Sequence, residues 1–450
     1  MQRKEIDLGK SRVPHLFRLY FVPTLIGMLS ICGVTAIDGI FIGHGVGSDG
    51  LAAVNICYAP IMVFTGIGLM LGVGASVISS LRLAENDIKN ARLNITQSMI
   101  AGTTAVMIFL AVTMSMPETT GRLLGSSETL LPLVTGYMVW IFPSIIFQMW
   151  TAIGLFVVRL DGSPKYAMWC NLVPALLNIC LDYLLIFRFG MGVKGAALAT
   201  FIGYSAGGIM AIFYIAYLAK KLRFVRFNEC FGKADRMIGN LYKQCKIGIS
   251  ALLGEATMGI FTLIGNILFM RLAGNDGVGA FSIACYYAPF VFMVGNSIAQ
   301  SAQPIISYNY GLGLKQRVVD TEKLAILTAL IFGLLLMGIF ISFPNILVAL
   351  FLNVDTPTAR IAIAGLPIFA IAFIPFIFNL TAIGYFQAVE RVKPSIIFSV
   401  LRGAVFVVPI FFMMANLLGV TGLWLSLALS EVLTSVCIIT YYLLKHNNVK

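Results

Sequence analysis

The chain has 450 residues, of which 59% are hydrophobic and only 11% are charged. So little polar surface cannot cover a soluble globule of this length, and the composition therefore excludes a water-soluble protein and favours one embedded in a bilayer. The formal net charge is +12, but the basic residues cluster in short segments between apolar stretches, so nucleic-acid binding is not needed to explain them.

Twelve apolar stretches of about 20 to 28 residues follow one another along the chain, the length that a tilted helix needs to cross about 30 Å of hydrocarbon. The predicted fold is therefore an all-α membrane protein of twelve transmembrane helices. The charged segment MQRKEIDLGKSR precedes the first helix without an apolar core of its own, so no removable signal peptide is expected. In chain order, the predicted spans are 15–42, 53–80, 95–116, 132–157, 165–189, 193–218, 246–271, 279–309, 321–344, 361–388, 393–416 and 421–444.

An internal repeat begins near the end of the first span. The segment FIGHGVGSDGLAAVNICYAP, which ends at Pro60, resembles LFMRLAGNDGVGAFSIACYYAP, which ends at Pro289. Each segment is expected to end one helix, turn at its Asp-Gly pair (Asp49-Gly50 and Asp276-Gly277) and start the next helix.

The repeat continues later in the chain, where TAIGLFVVRLDGSPK from Thr151 matches TAIGYFQAVERVKPS from Thr381. The Gly-Val-Lys-Gly run from Gly192 likewise matches the Gly-Val-Thr-Gly run from Gly419, and the offsets are 227 to 230 residues. An even number of spans in each half gives both copies the same orientation, so the repeats are parallel and related by an axis along the membrane normal. The predicted domains are an N-lobe (1–219), a cytoplasmic interlobe linker (220–245) and a C-lobe (246–450).

The distribution of lysine and arginine predicts the orientation, because short loops rich in these residues are retained on the cytoplasmic side. With both termini in the cytoplasm of a multi-pass protein of the inner membrane, 25 of the 31 basic residues fall on the inner side and five on the outer side. The segment from Lys220 to Lys246 contains more lysine and arginine residues than any other connection between spans. It is interpreted as a solvated positive-inside loop, with an amphipathic helix on anionic lipid as the alternative. Its basic residues are Lys220, Lys221, Arg223, Arg226, Lys233, Arg236, Lys243 and Lys246.

Cysteines and histidines give no sign of a metal or redox site. The eight cysteines form no CxxC pair and fall mostly within predicted spans, so they are interpreted as small packing residues. Only three histidines occur, at His15, His44 and His446, and no metal-binding motif can be built from them. No cofactor is expected, and the absence of a DDxxD-like run argues against a membrane prenyltransferase or another enzyme. The cysteines are Cys32, Cys57, Cys170, Cys180, Cys230, Cys245, Cys285 and Cys437.

Ionisable residues inside the spans are the strongest candidates for function, since an unpaired charge in hydrocarbon costs several kcal/mol. In the first half these are Asp38 and Asp182, whose predicted depths differ by only about 5 Å at about 1.5 Å rise per residue. Asn178, Thr200 and Tyr137 are predicted to reach the same layer. Carboxylates, an amide and hydroxyls suit a proton relay or a hard monovalent cation, so a sodium ion at Asp38, Asp182 and Asn178 is a second possibility. Alternatively, Asp182 braces helix packing and Asp38 faces water without any exchange role.

The second half carries a different set of charges. Glu255 and Arg402 each lie about nine residues into their spans from the same side, so an ion pair between them is the expected structural role. The alternative is that Glu255 attracts a cationic substrate or titrates during transport, with Arg402 as part of a second charged site. Glu431, in the last span, is interpreted as a satisfied structural acid.

Several segments resemble the multidrug and toxic compound extrusion (MATE) transporters across essentially the whole chain. The strongest match is NLVPALLNICLDYLLIF followed by GVKGAALAT, supported by Pro23 and Asp38, by GVGASVISSLRLAEND and by the GSPK loop. The resemblance implies two six-helix lobes around a cavity and the export of drugs or organic cations in exchange for H⁺ or Na⁺. It also implies a coupling role for the acids and polar residues of the first half, whereas the aspartate that the family usually carries in helix 10 is absent, since only Asn379 stands there.

The expected partners are small-molecule drugs and membrane lipids, for a monomeric antiporter that contributes to antibiotic resistance. A flippase of lipid-linked oligosaccharides, which belongs to the same superfamily, is the alternative. A flippase is expected to hold a diphosphate with several cationic side chains, and Arg402 is the one that lies deep within a predicted span rather than near its end.

Overall fold

The computed structural model describes residues 6–46, 48–226 and 234–447, and these residues are helical and connected by short loops. Cys230 and Lys233 lie outside the described residues. In hydrocarbon a helix satisfies its own backbone hydrogen bonds, which is why an apolar chain of this kind builds only helices and short connections.

Apolar helices, labelled α1 to α12 in chain order, make up most of the described chain. They are Val13–Gly45 (α1), Ser48–Ala84 (α2), Ile88–Ser115 (α3), Leu131–Leu160 (α4), Pro164–Asp182 (α5), Gly192–Phe213 (α6), 234–273 (α7), 275–311 (α8), Lys315–Ser342 (α9), Pro357–Ala370 with Phe373–Ala388 (α10), 392–418 (α11) and 420–447 (α12). Short helices at Pro117–Leu123 and Pro344–Ala349 precede α4 and α10.

The number of spans depends on how two long helical stretches are divided. Nine helices of the described residues are long and apolar enough to cross a membrane, and the two segments of α10, bent by 46°, together add a tenth. Two of the nine, Met237–Gly311 and Val392–Leu444, each contain a glycine with left-handed backbone, Gly274 (φ 59°) and Gly419 (φ 59°). Dividing each at its glycine gives the twelve spans that the sequence predicts.

The glycines also confirm the internal repeat. Gly192 and Gly419, which the sequence aligns, both have positive φ (56° and 59°), so the two copies enter their last helix through the same backbone conformation. The Asp-Gly pairs differ from expectation: Asp49 lies in the first turn of α2, and Asp276 follows the break at Gly274. The chain therefore turns just before each pair, and a carboxylate in the first turn of a helix is favoured by the helix dipole.

Two compact units make up the chain. Unit 1 is Met1–Leu252 with Ser307–Leu314, and unit 2 is Leu253–Ile306 with Lys315–Lys450. The predicted division at an interlobe linker of residues 220–245 stays a prediction. Within unit 1 the beginning of that segment is held firmly, because Asp161 accepts hydrogen bonds from the backbone N–H groups of Lys220, Lys221 and Leu222 at 2.8 to 3.0 Å.

Small residues allow the first part of α7 to pack against α2 in unit 1. A side chain at Gly74 would overlap the backbone of Gln244, and one at Gly248 would overlap the backbone of Met70. Gln244 is fully buried, and its amide donates to the carbonyl of Asn94 (3.2 Å) while its oxygen accepts from the Ser98 hydroxyl. This buried amide therefore joins α7 to α3.

The core of unit 2 is largely aromatic. Phe281 stacks on Phe269 with ring centroids 4.7 Å apart, and Trp424 meets Phe269 edge-on at 5.1 Å. Such pairs add about 0.5 to 1.5 kcal/mol each beyond the area that they bury. These contacts join α7, α8 and α12.

The left-handed glycine between α11 and α12 gives a testable prediction. Gly419→Ala should lower the stability of the purified protein by about 1 kcal/mol, because a Cβ is disfavoured at positive φ. Gly338, in the middle of α9, has open space around it and is the matched control. Gly338→Ala should leave the melting temperature unchanged or raise it, and equal losses in both variants would contradict this account.

The cap of α3 gives a second prediction. Asp87 accepts a hydrogen bond from the backbone N–H of Asn90 at 3.2 Å and another from its side chain at 2.6 Å, and the side-chain bond lowers the pKa of the Asp87 carboxyl. Asp87→Ala should therefore cost about 1 kcal/mol at neutral pH. The exposed Glu85→Ala, which breaks only a surface ion pair with Arg82, should cost much less.

The pH dependence of this cap has a defined sign. Because the folded pKa of Asp87 is lowered, its contribution to stability is present above the ordinary aspartate pKa and is lost as the pH falls through the lowered value. The difference in melting temperature between wild type and Asp87→Ala should therefore shrink in acid. A difference that grows on acidification would contradict this assignment.

Candidate functional site

Two carboxyl groups meet in the interior of unit 1, where α1 packs along α5. The side chains of Asp38 on α1 and Asp182 at the end of α5 lie within hydrogen-bonding reach of each other. Asp182 is fully buried, and the Oδ1 atom of each residue has no hydrogen-bond partner among the described residues. Two adjacent carboxyl groups in a medium of low dielectric constant are expected to share a proton, because their negative charges would otherwise repel each other strongly.

The amide of Asn178 connects this pair to α6. With its Nδ2 turned towards Asp182 Oδ2 (3.0 Å), its Oδ1 accepts from the hydroxyl of Thr200 (3.2 Å). Turned the other way, Nδ2 faces the Thr200 hydroxyl and Oδ1 faces Asp182, which is a hydrogen bond only if Asp182 carries a proton. The amide can therefore form a hydrogen bond with Asp182 in either protonation state of this carboxyl group.

Two tyrosines complete the surroundings of the acid pair. Tyr137 on α4 is buried and lies within electrostatic range of both Asp38 and Asp182. Tyr204 on α6 lies within the same range of Asp38. All five residues predicted for this layer thus lie around one point of unit 1, whereas their role in coupling stays a prediction.

Sequence reasoning did not single out Tyr204, although a signal was present. It follows Thr200 by four residues, so both side chains share one face of α6. A search for hydroxyls one turn from a candidate would have found it.

Local irregularities position these side chains. Gly203 and Gly207 allow α6 to lie close to α5, since a Cβ at Gly203 would come 3.1 Å from the carbonyl oxygen of Pro174 and one at Gly207 would come 2.9 Å from that of Cys170. After Asp182 the helix widens into a π-helical turn, Tyr183–Arg188, a feature that often accompanies functional sites. The close approach brings Thr200 within reach of Asn178.

The predicted ion pair between Glu255 and Arg402 is wrong. The guanidinium of Arg402 instead binds Glu431 on α12, with Nε 2.7 Å from Oε1 and 3.0 Å from Oε2. Glu255 forms no hydrogen bond or ion pair with the part of the chain that the structure describes. Equal depth in two helices does not determine the direction in which each side chain points, and Glu431 comes from the helix that follows α11 directly.

A partly buried acid of unit 2 also escaped the sequence analysis. Glu322, near the start of α9, accepts a hydrogen bond of 2.6 Å from the hydroxyl of Tyr442. In unit 1, Tyr214 donates similarly to Asp161 at 2.9 Å. The two tyrosines are 228 residues apart, but Glu322 follows Asp161 by only 161 residues, so the repeat offset could have pointed to Tyr442 but not to its acid.

Among the described residues, no group of three His, Cys, Asp or Glu side chains could hold a metal ion. The cysteines at 32, 57, 170, 180, 245, 285 and 437 are free thiols. A sodium site at Asp38, Asp182 and Asn178 has only two acidic side chains, so it falls outside this definition of a metal-binding group. This sodium site stays a prediction.

Comparison with known proteins gives one consistent family. The profile of the MatE family matches the chain twice, at residues 23–184 and 251–413, and the two matches reproduce the internal repeat. The multidrug export protein MepA of Staphylococcus aureus (strain NCTC 8325 / PS 47) is 27% identical over 444 residues, which cover 97% of this chain and 95% of MepA. MepA of Staphylococcus saprophyticus is 26% identical and covers 95% of this chain and 93% of its own length.

Solved structures support the fold. A mutant of the MATE transporter VcmN from Vibrio cholerae superposes with a TM-score of 0.87 at 21% identity, covering 97% of both chains. A MOP superfamily transporter of Pyrococcus furiosus, described as having a binding pocket of reversed polarity that suggests a different function, superposes with a TM-score of 0.89 at 18% identity. It covers 99% of this chain and 98% of its own.

Proposed function

The chain belongs to the MatE family of membrane transporters, which are not enzymes, and we propose that it exports organic cations or drugs in exchange for protons. The observation that carries the proposal is the acid pair in unit 1. Asp38 and Asp182 are within hydrogen-bonding reach, and each has an oxygen without a partner among the described residues. The export of drugs is supported by the similarity to MepA, a multidrug export protein.

Protonation would change how α1 and α5 fit together. Without a shared proton, the carboxylates of Asp38 and Asp182 would repel each other by about 4 kcal/mol at 4 Å and an effective dielectric constant of about 20. A proton removes this repulsion. Pro23 interrupts the hydrogen bonding of α1 below the acid, so this helix can bend in response to the charge on Asp38.

The amide of Asn178 would make the exchange less costly. When Asp182 is ionised, the amide donates to it, and when Asp182 is protonated the reversed amide accepts from it. Neither state leaves a buried polar group of Asn178 without a partner, which would otherwise cost about 1 to 3 kcal/mol. Tyr137 and Tyr204 border the same point and would assist as proton donors or acceptors.

Protons are favoured over sodium, since two adjacent carboxyl groups can hold one proton between them. A flippase is less favoured, because the guanidinium of Arg402 is occupied by Glu431 and is not free to hold a diphosphate. The protein is proposed to act as a monomer in the inner membrane, surrounded by lipid, with no cofactor and no nucleic-acid partner.

Transport by reconstituted protein tests the coupling site. Vesicles containing wild type should move ethidium when a pH gradient alone is imposed. Asp38→Asn and Asp182→Asn should each lose at least about 90% of this transport rate, because a single carboxyl group beside an amide cannot share a proton as two carboxyl groups do. Glu118→Gln, at an exposed acid of the same unit, is the control and should transport normally. Fluorescence of the dye and of an internal pH indicator would be recorded together.

Each alternative has its own outcome in this assay. Transport driven only by a sodium gradient would show that sodium, and not the proton, is the coupling ion at the same residues. Full activity of both Asn variants would disprove the coupling site, and no movement of any cation by wild type would contradict the exporter and favour the flippase.

The proposed orientation can be tested by labelling. Lys89 at the start of α3 and Thr129 before α4 are both exposed, and the sequence places them on opposite sides of the membrane. A membrane-impermeant maleimide should label Thr129→Cys in intact spheroplasts and Lys89→Cys only after permeabilisation, with wild type as the background. The reverse result would contradict cytoplasmic termini.

A further inference from the structure

A short stretch of unit 1, residues 219–226, follows α6 without being helical and is called the basic segment below. Asp161, in the loop before α5, accepts hydrogen bonds from three successive backbone N–H groups of this segment at 2.8 to 3.0 Å. The hydroxyl of Tyr214 donates to the same carboxylate (2.9 Å). One side chain thus fixes the start of the basic segment, and the amphipathic helix considered from the sequence does not describe these residues.

Two contacts from α3 fix the rest of the basic segment. Oγ1 of Thr96 accepts from the backbone N–H of Val225 (3.2 Å), and Nε of Arg92 donates to the carbonyl of Lys221 (2.6 Å). Leu222, between these contacts, is fully buried. A loop that is only solvated has no need of such anchors, because ordering each residue costs conformational entropy.

The anchored backbone presents a cluster of cations on the surface of unit 1. Four basic side chains lie within seven residues, and all four are exposed. They are Lys220, Lys221, Arg223 and Arg226. The carboxylate of Asp161 binds the backbone of the same segment, so it organises this cluster through the backbone.

Exposed aromatic side chains lie at the same end of unit 1. Tyr217 is 70% exposed, and its ring lies 5.2 Å from that of the exposed Phe213. Trp169 on α5 is also exposed, and α5 begins beside the end of α6, because the Tyr166 hydroxyl donates to the Met210 carbonyl (3.1 Å). Aromatic rings at the ends of membrane helices lie at the level of the lipid headgroups. The basic segment begins two residues after Tyr217 and is therefore placed at this level.

Cations held at the headgroup level match one class of partner. The phosphodiester of a phospholipid carries a negative charge, and its oxygens accept hydrogen bonds from ammonium and guanidinium groups. In phosphatidylglycerol no other group of the headgroup offsets this charge, whereas phosphatidylcholine carries a cation of its own. Basic residues next to a membrane helix are attracted to such anionic lipids.

We propose that the basic segment is a binding site for the phosphate groups of anionic phospholipids, with Lys220, Lys221 and Arg223 as its charged contacts. Asp161 builds the site, because it fixes the backbone from which these side chains extend. The site is separate from the acid pair, and it does not depend on the proposed transport activity.

Titration of the full-length protein with lipid tests the site. Delipidated protein in an uncharged detergent would be titrated with phosphatidylglycerol, and the melting temperature would be recorded at each concentration, since a ligand of the folded state raises it. Wild type should show a saturable rise. The triple variant Lys220→Gln/Lys221→Gln/Arg223→Gln should need at least about tenfold more lipid for half of the effect. A wild-type protein that does not respond to phosphatidylglycerol would overturn the proposal.

A matched control removes the same charge elsewhere. Lys315, Lys323 and Lys393 are exposed basic residues of unit 2. The variant Lys315→Gln/Lys323→Gln/Lys393→Gln should require the same lipid concentration as wild type. Equal weakening in both triple variants would reduce the effect to net charge and would overturn the proposal.

Asp161→Ala distinguishes a built site from general attraction. This substitution removes a negative charge, so electrostatic attraction alone predicts tighter binding of phosphatidylglycerol. Loss of the anchor predicts weaker binding instead, by at least about threefold, because the cations are no longer held in place. Unchanged or tighter binding would overturn the proposal. If Asp161→Ala does not fold, the triple variants, which alter only exposed side chains, decide the question.

Two further ligands identify the source of the phosphate. Phosphatidylcholine, whose headgroup is neutral overall, should raise the melting temperature much less than phosphatidylglycerol does. Inorganic phosphate at the same concentrations should have no effect. An equal response to phosphatidylcholine would exclude recognition of anionic lipid, and an equal response to inorganic phosphate would assign the cations to a soluble anion. Either result would overturn the proposal.

Discussion

Hydrocarbon offers neither hydrogen bonds nor counter-ions, so every charged side chain inside these helices depends on what the protein places beside it. This constraint explains why so few ionisable residues stand in the spans and why most of them lie together. Asp38 lies beside Asp182, and Arg402 binds Glu431. The first arrangement leaves room for a proton, and the second supplies its own cation.

The helices that carry these residues depend on small, local departures from regularity. Gly203 and Gly207 let α6 approach α5, and without that approach Thr200 would not reach Asn178. π-helical turns follow Asp182 and contain Arg402 in the corresponding helices of the two repeats. The two repeats thus share this helical frame but carry different charged pairs on it, two acids in unit 1 and an ion pair in unit 2.

Sequence patterns anticipated much of this frame because its determinants are local. Apolar length defines spans, and repeated segments at a constant offset define halves, so the matching left-handed conformations of Gly192 and Gly419 follow from their aligned positions. Depth along a helix is also local, which is why Asp38, Asp182 and Asn178 could be assigned to one layer. Depth alone failed for Arg402, whose partner is Glu431 and not Glu255, since the direction of a side chain around the helix axis depends on packing with other helices.

By itself, the sequence determined that this is a duplicated helical membrane protein. It also determined that a few ionisable residues lie within its apolar spans, since hydropathy, length and repeat offset are properties of the chain alone. Only the tertiary structure determined which charged side chains lie in contact with one another. It also added Tyr204 to the acid pair and joined Glu322 to Tyr442. The physical reason is that a hydrogen bond or ion pair in the interior requires two groups within about 3 Å. That distance is determined by helix rotation, by glycine contacts and by π-helical turns, which depend on residues far apart in the chain.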